Sequence, residues 1–241
     1  MTAALMVELS RRKVKIIFCD EQRNPAAEVM PCYGSYDASG KLRSQIAWPK
    51  ERKDLLWGTI IREKIRKQQA MLLYAHEAER AQMLEAYAEH VEGADASNRE
   101  GHAAKVYFGG LFGVGFTRGD GCAINQALNF GYAILLSAFN REIVANGYVT
   151  QLGVFHDNML NPFNLACDLM KYDFWDTMLH TTNGFLCAAV GFSLIDILNR
   201  KVTISQSWQY VSNAIKIYCK SVFRALEEND MEELRFYSDE L

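Results

Sequence analysis

Residues 121–148, GCAINQALNFGYAILLSAFNREIVANGY, decide the fold class because their apolar pattern predicts one long buried helix. The segment closes with an Asn-Gly pair, which is typical of the end of a helix. Further helical patterns begin after Pro49, which suits the first turn of a helix, and cover residues 76–92 and 207–227. Most of the chain is therefore predicted to be α-helical.

The N-terminal part has a different pattern. Residues 14–19, VKIIFC, are apolar and β-branched and predict a strand, which follows a helical pattern at residues 2–12. The sequence therefore predicts an α+β fold. It divides into a short β-containing part (residues 1–35), a linker (36–48) and a larger, mainly α-helical part (49–241).

The composition sets limits on function. Of the 241 residues, 49% are hydrophobic and 23% are charged, as in ordinary globular proteins. The formal net charge is −3, so any binding of nucleic acid must come from a local basic patch. No apolar stretch approaches the ~20 residues of a membrane span. The start has no signal layout and the six cysteines form no CxxC pair, which predicts a cytoplasmic protein with reduced thiols.

Glu100 lies in SNREGHAAKVYF, about where a helix begins after a Ser-Asn cap. One interpretation is structural, because an acidic side chain in the first turn stabilises the helix dipole. The other is a carboxylate that binds a metal ion at the base of a cleft, with Arg99 and Lys105 close by to hold phosphate.

His156 lies in the polar loop of FHDNMLNPFNLACDLMK, residues 155–171, before a helical run. A lone loop histidine is usually a surface residue. Here Asn158, Asn161 and Asn164 can bond back to the backbone and make the loop rigid. A rigid polar loop is how an imidazole ligand is held, so a ligand role is the second interpretation.

Charged helix faces also have two interpretations. Asp168 and Lys171 are three residues apart, which predicts a local ion pair on one helix face. The basic runs, which include Arg66 and Lys67, are either solvated helix faces or contacts to the phosphates of a DNA backbone.

Four segments together resemble one known family, the CRISPR-associated endonuclease and integrase that is the first Cas protein of the spacer-acquisition module, in its type II form. They are residues 9–57, 91–108 (VEGADASNREGHAAKVYF), 128–170 and 214–230 (AIKIYCKSVFRALEEND). The resemblance implies an N-terminal β domain that forms a homodimer and a helical catalytic domain. Residues 1–35 would be a remnant of the first domain, and residues 49–241 would form the second.

The resemblance also implies an activity and a site. The family inserts spacer DNA into a CRISPR array, binding double-stranded prespacer and repeat DNA together with a small second Cas protein. Its divalent ion, Mg²⁺ or Mn²⁺, would be held here by Glu100, His156 and a second acid. That second acid is absent, because Lys171 occupies its position. Asp168, one turn earlier on the same face, is the substitute ligand that the sequence offers.

Besides Lys171, the sequence departs from the family pattern in two further respects. The chain begins just ahead of the strand at 14–19, without the family's earlier strands, and residues 171–192 match little of the family pattern. A late start and a local frame error would explain both. The sequence therefore predicts either an active metal-dependent DNA endonuclease and integrase, or a catalytically impaired relative that keeps its DNA- and partner-binding surfaces. An unrelated helical binding protein is a third interpretation.

Overall fold

The computed structural model describes residues 2–12, 14, 16–21, 25–29, 37–171 and 196–238. Within these ranges the helices are α1 (Ala3–Arg11), α2 (Ala38–Ala47), α3 (Lys50–Tyr74), α4 (Ala78–Glu89), α5 (Arg99–Phe112), α6 (Ala123–Ala145), α7 (Asn164–Met170) and α8 (Val211–Glu228). The strands are β1 (Ile16–Cys19), β2 (Pro25–Val29), β3 (Lys201–Ile204), β4 (Ser207–Tyr210) and β5 (Tyr237–Ser238). Helices dominate and the strands form two small antiparallel sheets, so the predicted α+β class is confirmed.

The predicted N-terminal strand has a partner that the sequence pattern did not reveal. β1 pairs with β2 in antiparallel register, with Ile16 opposite Val29 and an irregularity between Phe18 and Cys19. The segment around β2 contains residues typical of turns, such as Pro25, which obscure the strand in the sequence. Pro25 is compatible with a strand because it is the first residue of β2, where a missing N–H is tolerated.

The predicted linker, residues 36–48, contains the ten-residue helix α2. Gln45 of α2 is buried and ties this helix to a distant loop. Its amide donates to the carbonyl oxygens of Val149 and Leu152, both at 2.9 Å, and its oxygen accepts the Val149 N–H at 3.0 Å. These bonds fix the chain just ahead of His156. The division into domains at this segment stays a prediction.

Helix α3 supplies the centre of the helical core. Leu56, Ile60 and Lys64 follow one another at four-residue spacing, and all three are buried. Trp57 and Ile61 lie beside them and are also buried. The helix that the sequence predicts after Pro49 is thus confirmed, and its buried face forms an apolar stripe. Lys64 is the one charged member of the stripe, so it must have a partner inside the protein.

The C-terminal helix begins later than predicted. The pattern over residues 207–227 predicted helix throughout, but Ser207–Tyr210 is strand β4, which pairs with β3. The turn between them uses Ser205 and Gln206 with positive φ values of 50° and 61°, as two-residue hairpin turns require. Pairing with β3 overrides the helical periodicity of these four residues.

Two further sequence predictions can be compared with the described residues. None of the helices there combines the length and the apolar character that a membrane crossing requires. Four cysteines have free thiols, namely Cys19, Cys122, Cys167 and Cys219. The other two, and all but the first residue of the 171–192 segment, lie outside the described residues.

Candidate functional site

The start of helix α5 is capped without help from the Glu100 side chain. Asn98 accepts the Gly101 N–H at 3.3 Å, and Asp95 accepts the N–H groups of Arg99 and Glu100 at 2.7 and 2.9 Å. These two side chains satisfy the first donors of the helix. The Glu100 carboxylate is therefore available for contacts outside its own helix.

Glu100 lies between two lysines. Its Oε1 atom accepts a hydrogen bond from Lys64 Nζ at 2.9 Å and another from Lys171 Nζ at 2.6 Å. The Lys64 side chain is 9% exposed, that of Glu100 18% and that of Lys171 31%. The cluster is thus mostly withdrawn from water, and Lys171 is its most accessible member.

The two lysines fix the charge of Glu100. Burial by itself would raise the pKa of this carboxyl, but the positive charges and hydrogen bonds of Lys64 and Lys171 outweigh burial and lower the pKa to about 2. Glu100 is therefore ionised throughout the physiological range, and its charge is already balanced by cations of the protein itself.

His156 is held by Asp168. The Asp168 carboxylate is fully buried and accepts the backbone N–H groups of Val154 at 2.6 Å, Phe155 at 2.9 Å and His156 at 3.2 Å. It also hydrogen-bonds the His156 ring at Nδ1. Since a carboxylate only accepts, Nδ1 carries the hydrogen, and in the neutral ring Nε2 is the nitrogen that can bind another group.

Gly153 makes this loop geometry feasible. A Cβ atom at this position would lie 2.3 Å from the His156 carbonyl oxygen and 2.7 Å from Asp168 Oδ2. Any side chain would therefore push the loop away from the carboxylate. The sequence analysis missed this glycine, and its place three residues before the loop histidine is the only signal that could have drawn attention to it.

An aromatic stack supports the histidine from the other side. Phe155, which directly precedes His156, lies parallel to Trp57 with ring centroids 4.2 Å apart. Trp57 also meets the edge of the His156 ring, with centroids 5.7 Å apart. The imidazole is thus positioned by packing as well as by its hydrogen bond.

A cavity of about 360 Å³ brings these groups together. His156, Lys64 and Lys171 all line it, and both lysines are bonded to Glu100. Its wall is completed by Tyr132, Asn161, Cys167 and Met170. Helix α3, the end of α7 and the loop before α7 therefore bring His156 to one cavity with Lys64 and Lys171, the two lysines that hold Glu100.

Cys167 is a poor candidate for a nucleophile in this cavity. Burial raises the pKa of its thiol, and the nearby Asp168 charge acts in the same direction, against the opposing effects of Asn161 and Lys171. A thiol with a raised pKa has little of the reactive thiolate at neutral pH.

Lys64 is the functional residue that the sequence analysis left unassigned. It lies on the apolar stripe of α3, and a lysine at such a position needs a buried anion. That requirement is the signal that could have found it. Its partner, Glu100, is 36 residues away in the sequence.

The predicted metal ligands do not fit a divalent ion in this arrangement. Glu100 Oε1 already binds two ammonium groups, and the position of the missing acid holds one of them, Lys171. Asp168 uses its oxygens on backbone N–H groups and on His156, which gives it a positioning role instead of that of a substitute ligand. Among the described residues, no group of three His, Cys, Asp or Glu side chains could hold a metal ion.

The four predicted DNA-contacting residues have different surroundings. Arg66 and Lys105 are exposed, and Arg66 pairs with Glu63 on its own helix. Arg99 is half-buried, with its guanidinium 5.7 Å from the centre of the Tyr87 ring.

Lys67 is the exception among them. Its ammonium lies 3.4 Å from the centre of the Tyr237 ring, and its nitrogen is buried there. This placement does not support the prediction that Lys67 contacts DNA.

The family model described as CRISPR associated protein Cas1 matches residues 1–172. Since this is more than half of the chain, the protein belongs to the Cas1 family, and the predicted resemblance is confirmed at that level. The type II assignment stays a prediction.

One curated relative is the CRISPR-associated endonuclease Cas1 of Neisseria meningitidis serogroup C (strain 8013). It is 38% identical over 172 residues, which cover 71% of this chain and 56% of the relative. The matched part thus spans little more than half the length of that protein.

Solved structures share the fold at low sequence identity. A chain of a Cas6-RT-Cas1–Cas2 complex has a TM-score of 0.76 at 15% identity, covering 100% of this chain and 31% of that one. A casposase bound to integration product has a TM-score of 0.76 at 17% identity, covering 95% and 76%. A Cas1 protein from Thermotoga maritima has a TM-score of 0.71 at 15% identity, covering 93% and 82%.

Proposed function

We propose that this protein is a DNA-binding member of the CRISPR spacer-acquisition machinery whose metal-dependent catalytic centre is impaired. The observation that carries the proposal is the Lys64–Glu100–Lys171 cluster, in which one carboxylate oxygen is shared by two ammonium groups. Membership of the Cas1 family supports the role in spacer acquisition.

The electrostatics of the cluster give the physical reason for impairment. Two ammonium groups at the carboxylate repel a divalent cation, and at ~4 Å with an effective dielectric of about 20 each unit charge on the ion costs about 4 kcal/mol per ammonium. Lys171, standing where the family has its second acid, both removes a ligand and adds a positive charge. Binding of Mg²⁺ or Mn²⁺ by Glu100 and His156 alone would have to overcome this repulsion.

Partners follow from the family and are part of the proposal. Double-stranded DNA, as prespacer and as CRISPR repeat, is the proposed substrate, with exposed basic residues such as Arg66 and Lys105 on its phosphates. A similar solved structure is a complex that contains Cas1 and Cas2, which supports a small second Cas protein as partner. A second copy of the chain completes the proposed assembly.

The second candidate is the active metal-dependent DNA endonuclease and integrase. It is favoured by one observation, that His156 lines the cavity whose two lysines hold Glu100, the other residue of the implied ligand set. The curated relative is named an endonuclease, which agrees with this candidate.

An experiment on Lys171 separates the two candidates. Purified protein is assayed for duplex binding by mobility shift and for cleavage and strand joining with Mn²⁺ or Mg²⁺. The impaired candidate predicts that wild type binds DNA without processing it, and that Lys171→Glu increases Mn²⁺ affinity in calorimetry at least tenfold. Lys220→Glu, on the exposed face of α8, is the matched control and leaves Mn²⁺ binding unchanged.

Two outcomes would contradict the proposal. Wild type that cleaves or joins DNA in a metal-dependent way, and loses this activity in Glu100→Gln, would establish the active enzyme. Equal Mn²⁺ affinity in wild type and Lys171→Glu would show that Lys171 does not block the ion.

A further inference from the structure

The cavity at His156 carries two cationic side chains. Lys64 and Lys171 contribute two cations and Glu100 one anion. The other nearby carboxylate, Asp168, is buried, and its charge is met by three backbone N–H groups and the His156 ring. An anionic group that enters the cavity therefore meets two ammonium groups on its wall, while the Asp168 carboxylate is not among the described residues that line it.

The two ammonium groups also have hydrogen-bond donors beyond those that Glu100 uses. A lysine ammonium has three N–H donors, and Glu100 takes one from each. Lys171 is 31% exposed at the cavity, so its donors can be reached by an incoming group. Lys64 is 9% exposed, so it acts mainly through its charge. Because it is buried, solvent and salt screen that charge only weakly at the cavity.

A neutral donor lines the same cavity. Asn161 presents an amide whose N–H₂ has a weak contact, 3.6 Å to the Cys167 sulfur. The His156 ring donates its Nδ1–H to Asp168, so in the neutral ring Nε2 only accepts. The volume of about 360 Å³ falls in the range of about 300–1,000 Å³ typical of small-ligand sites. Such a combination of two ammonium groups and an amide suits a tetrahedral oxyanion.

We propose that this cavity binds a phosphate group of DNA directly through the ammonium group of Lys171, with the charge of Lys64 adding to the attraction and no divalent cation between protein and phosphate. The inference rests on the proposed DNA-binding function and names the chemical group that this site takes. Two fixed ammonium groups supply the same charge as one divalent ion. Phosphate binding at this cavity is thus insensitive to metal, whereas a site made of acids would require metal.

A binding assay with and without metal tests the inference. A fluorescein-labelled DNA duplex is titrated with wild type, Lys171→Met and Lys220→Met, each in EDTA and in Mn²⁺, and fluorescence anisotropy gives the Kd. Wild type binds equally in EDTA and in Mn²⁺. Lys171→Met weakens binding about tenfold in both buffers, because a charge-assisted contact to phosphate is lost. The exposed control Lys220→Met changes the Kd less than twofold.

A charge-reversed variant gives the sharpest result. Lys171→Glu binds DNA at least tenfold more weakly than wild type in EDTA and recovers on addition of Mn²⁺, because the acid needs the ion to hold phosphate. Wild-type affinity that rises tenfold with Mn²⁺, or Lys171→Met affinity equal to wild type in EDTA, overturns the inference while leaving DNA binding intact.

Failure of the proposed function is distinguished by a second probe. If wild type does not bind the duplex at all, inorganic phosphate is titrated and the His156 imidazole resonances are followed by NMR. Phosphate-dependent shifts in wild type that are absent in Lys171→Met support the cavity as a phosphate site even then. The same shifts in both proteins, or shifts in neither, overturn it.

Discussion

Replacing Glu100 with glutamine tests how strongly the two-lysine cluster holds the fold together. Glutamine keeps the size of the side chain and an acceptor oxygen but removes the negative charge. Lys64, 9% exposed, is then a buried cation without an anion, while Lys171 can turn toward water. We expect Glu100→Gln to lower the free energy of unfolding by about 3 kcal/mol at pH 7.

Two independent arguments give that magnitude. The Glu100 pKa lies at about 2 instead of 4.5, which corresponds to about 3 kcal/mol of preference for the charged form in the folded protein. Both ammonium groups lie within 3 Å of one oxygen, so they are at most about 6 Å apart. Without the carboxylate, their repulsion at an effective dielectric of about 20 is about 3 kcal/mol, reduced as Lys171 moves into solvent.

The assay is urea denaturation followed by circular dichroism, for wild type, Glu100→Gln and the double variant Glu100→Gln/Lys64→Met. The double variant regains about 1 kcal/mol or more of the lost free energy of unfolding, because an apolar side chain replaces the buried ammonium. Glu63→Gln is the matched control. Its carboxylate pairs with the exposed Arg66 one helical turn away, so we expect a change below about 0.5 kcal/mol.

The pH dependence has a definite sign. Because folding lowers the Glu100 pKa, the stability it contributes is fully present above pH 4.5 and is lost as the pH falls toward about 2. The stability gap between wild type and Glu100→Gln is therefore constant at neutral pH and closes in this acidic window. A gap below about 0.5 kcal/mol at pH 7, or a double variant less stable than the single one, would refute the reasoning.

Three further substitutions address the loop that holds His156. Gly153→Ala places a methyl group 2.3 Å from the His156 carbonyl oxygen. We expect the free energy of unfolding in urea to fall by about 2 kcal/mol and the His156 NMR signals to shift. An unchanged urea midpoint would show that the loop relaxes freely. Asp168→Asn turns a buried carboxylate that accepts three N–H groups into a neutral amide. We expect the free energy of unfolding to fall by about 2–3 kcal/mol. Stability equal to wild type would contradict the contacts described. Phe155→Ala removes the stack on Trp57 and should lower the free energy of unfolding by about 1 kcal/mol. The control Met159→Ala, at a side chain 98% exposed, should leave stability unchanged. Equal effects of the two substitutions would count against the stack.

Local sequence patterns were sufficient to predict most of the helices. The apolar stripe of α3, the long buried helix α6 and the capped start of α5 all follow from periodicity and capping residues that are adjacent in the sequence. The hairpin β3–β4 was missed because the strand residues 207–210 run directly into an amphipathic helix. Only pairing with β3 distinguishes them from its first turn.

The sequence by itself determined the family, the positions of Glu100 and His156, and the presence of Lys171 where the resemblance implies an acid. It could not determine what that lysine does, because its partner Glu100 is 71 residues away and the second lysine lies on a third helix. Hydrogen bonds between helices depend on how the helices pack, which no local pattern specifies. Tertiary structure alone joined Lys64, Glu100 and Lys171 into one cluster and assigned Asp168 to the histidine, because a buried charge takes whichever partner packing brings within reach.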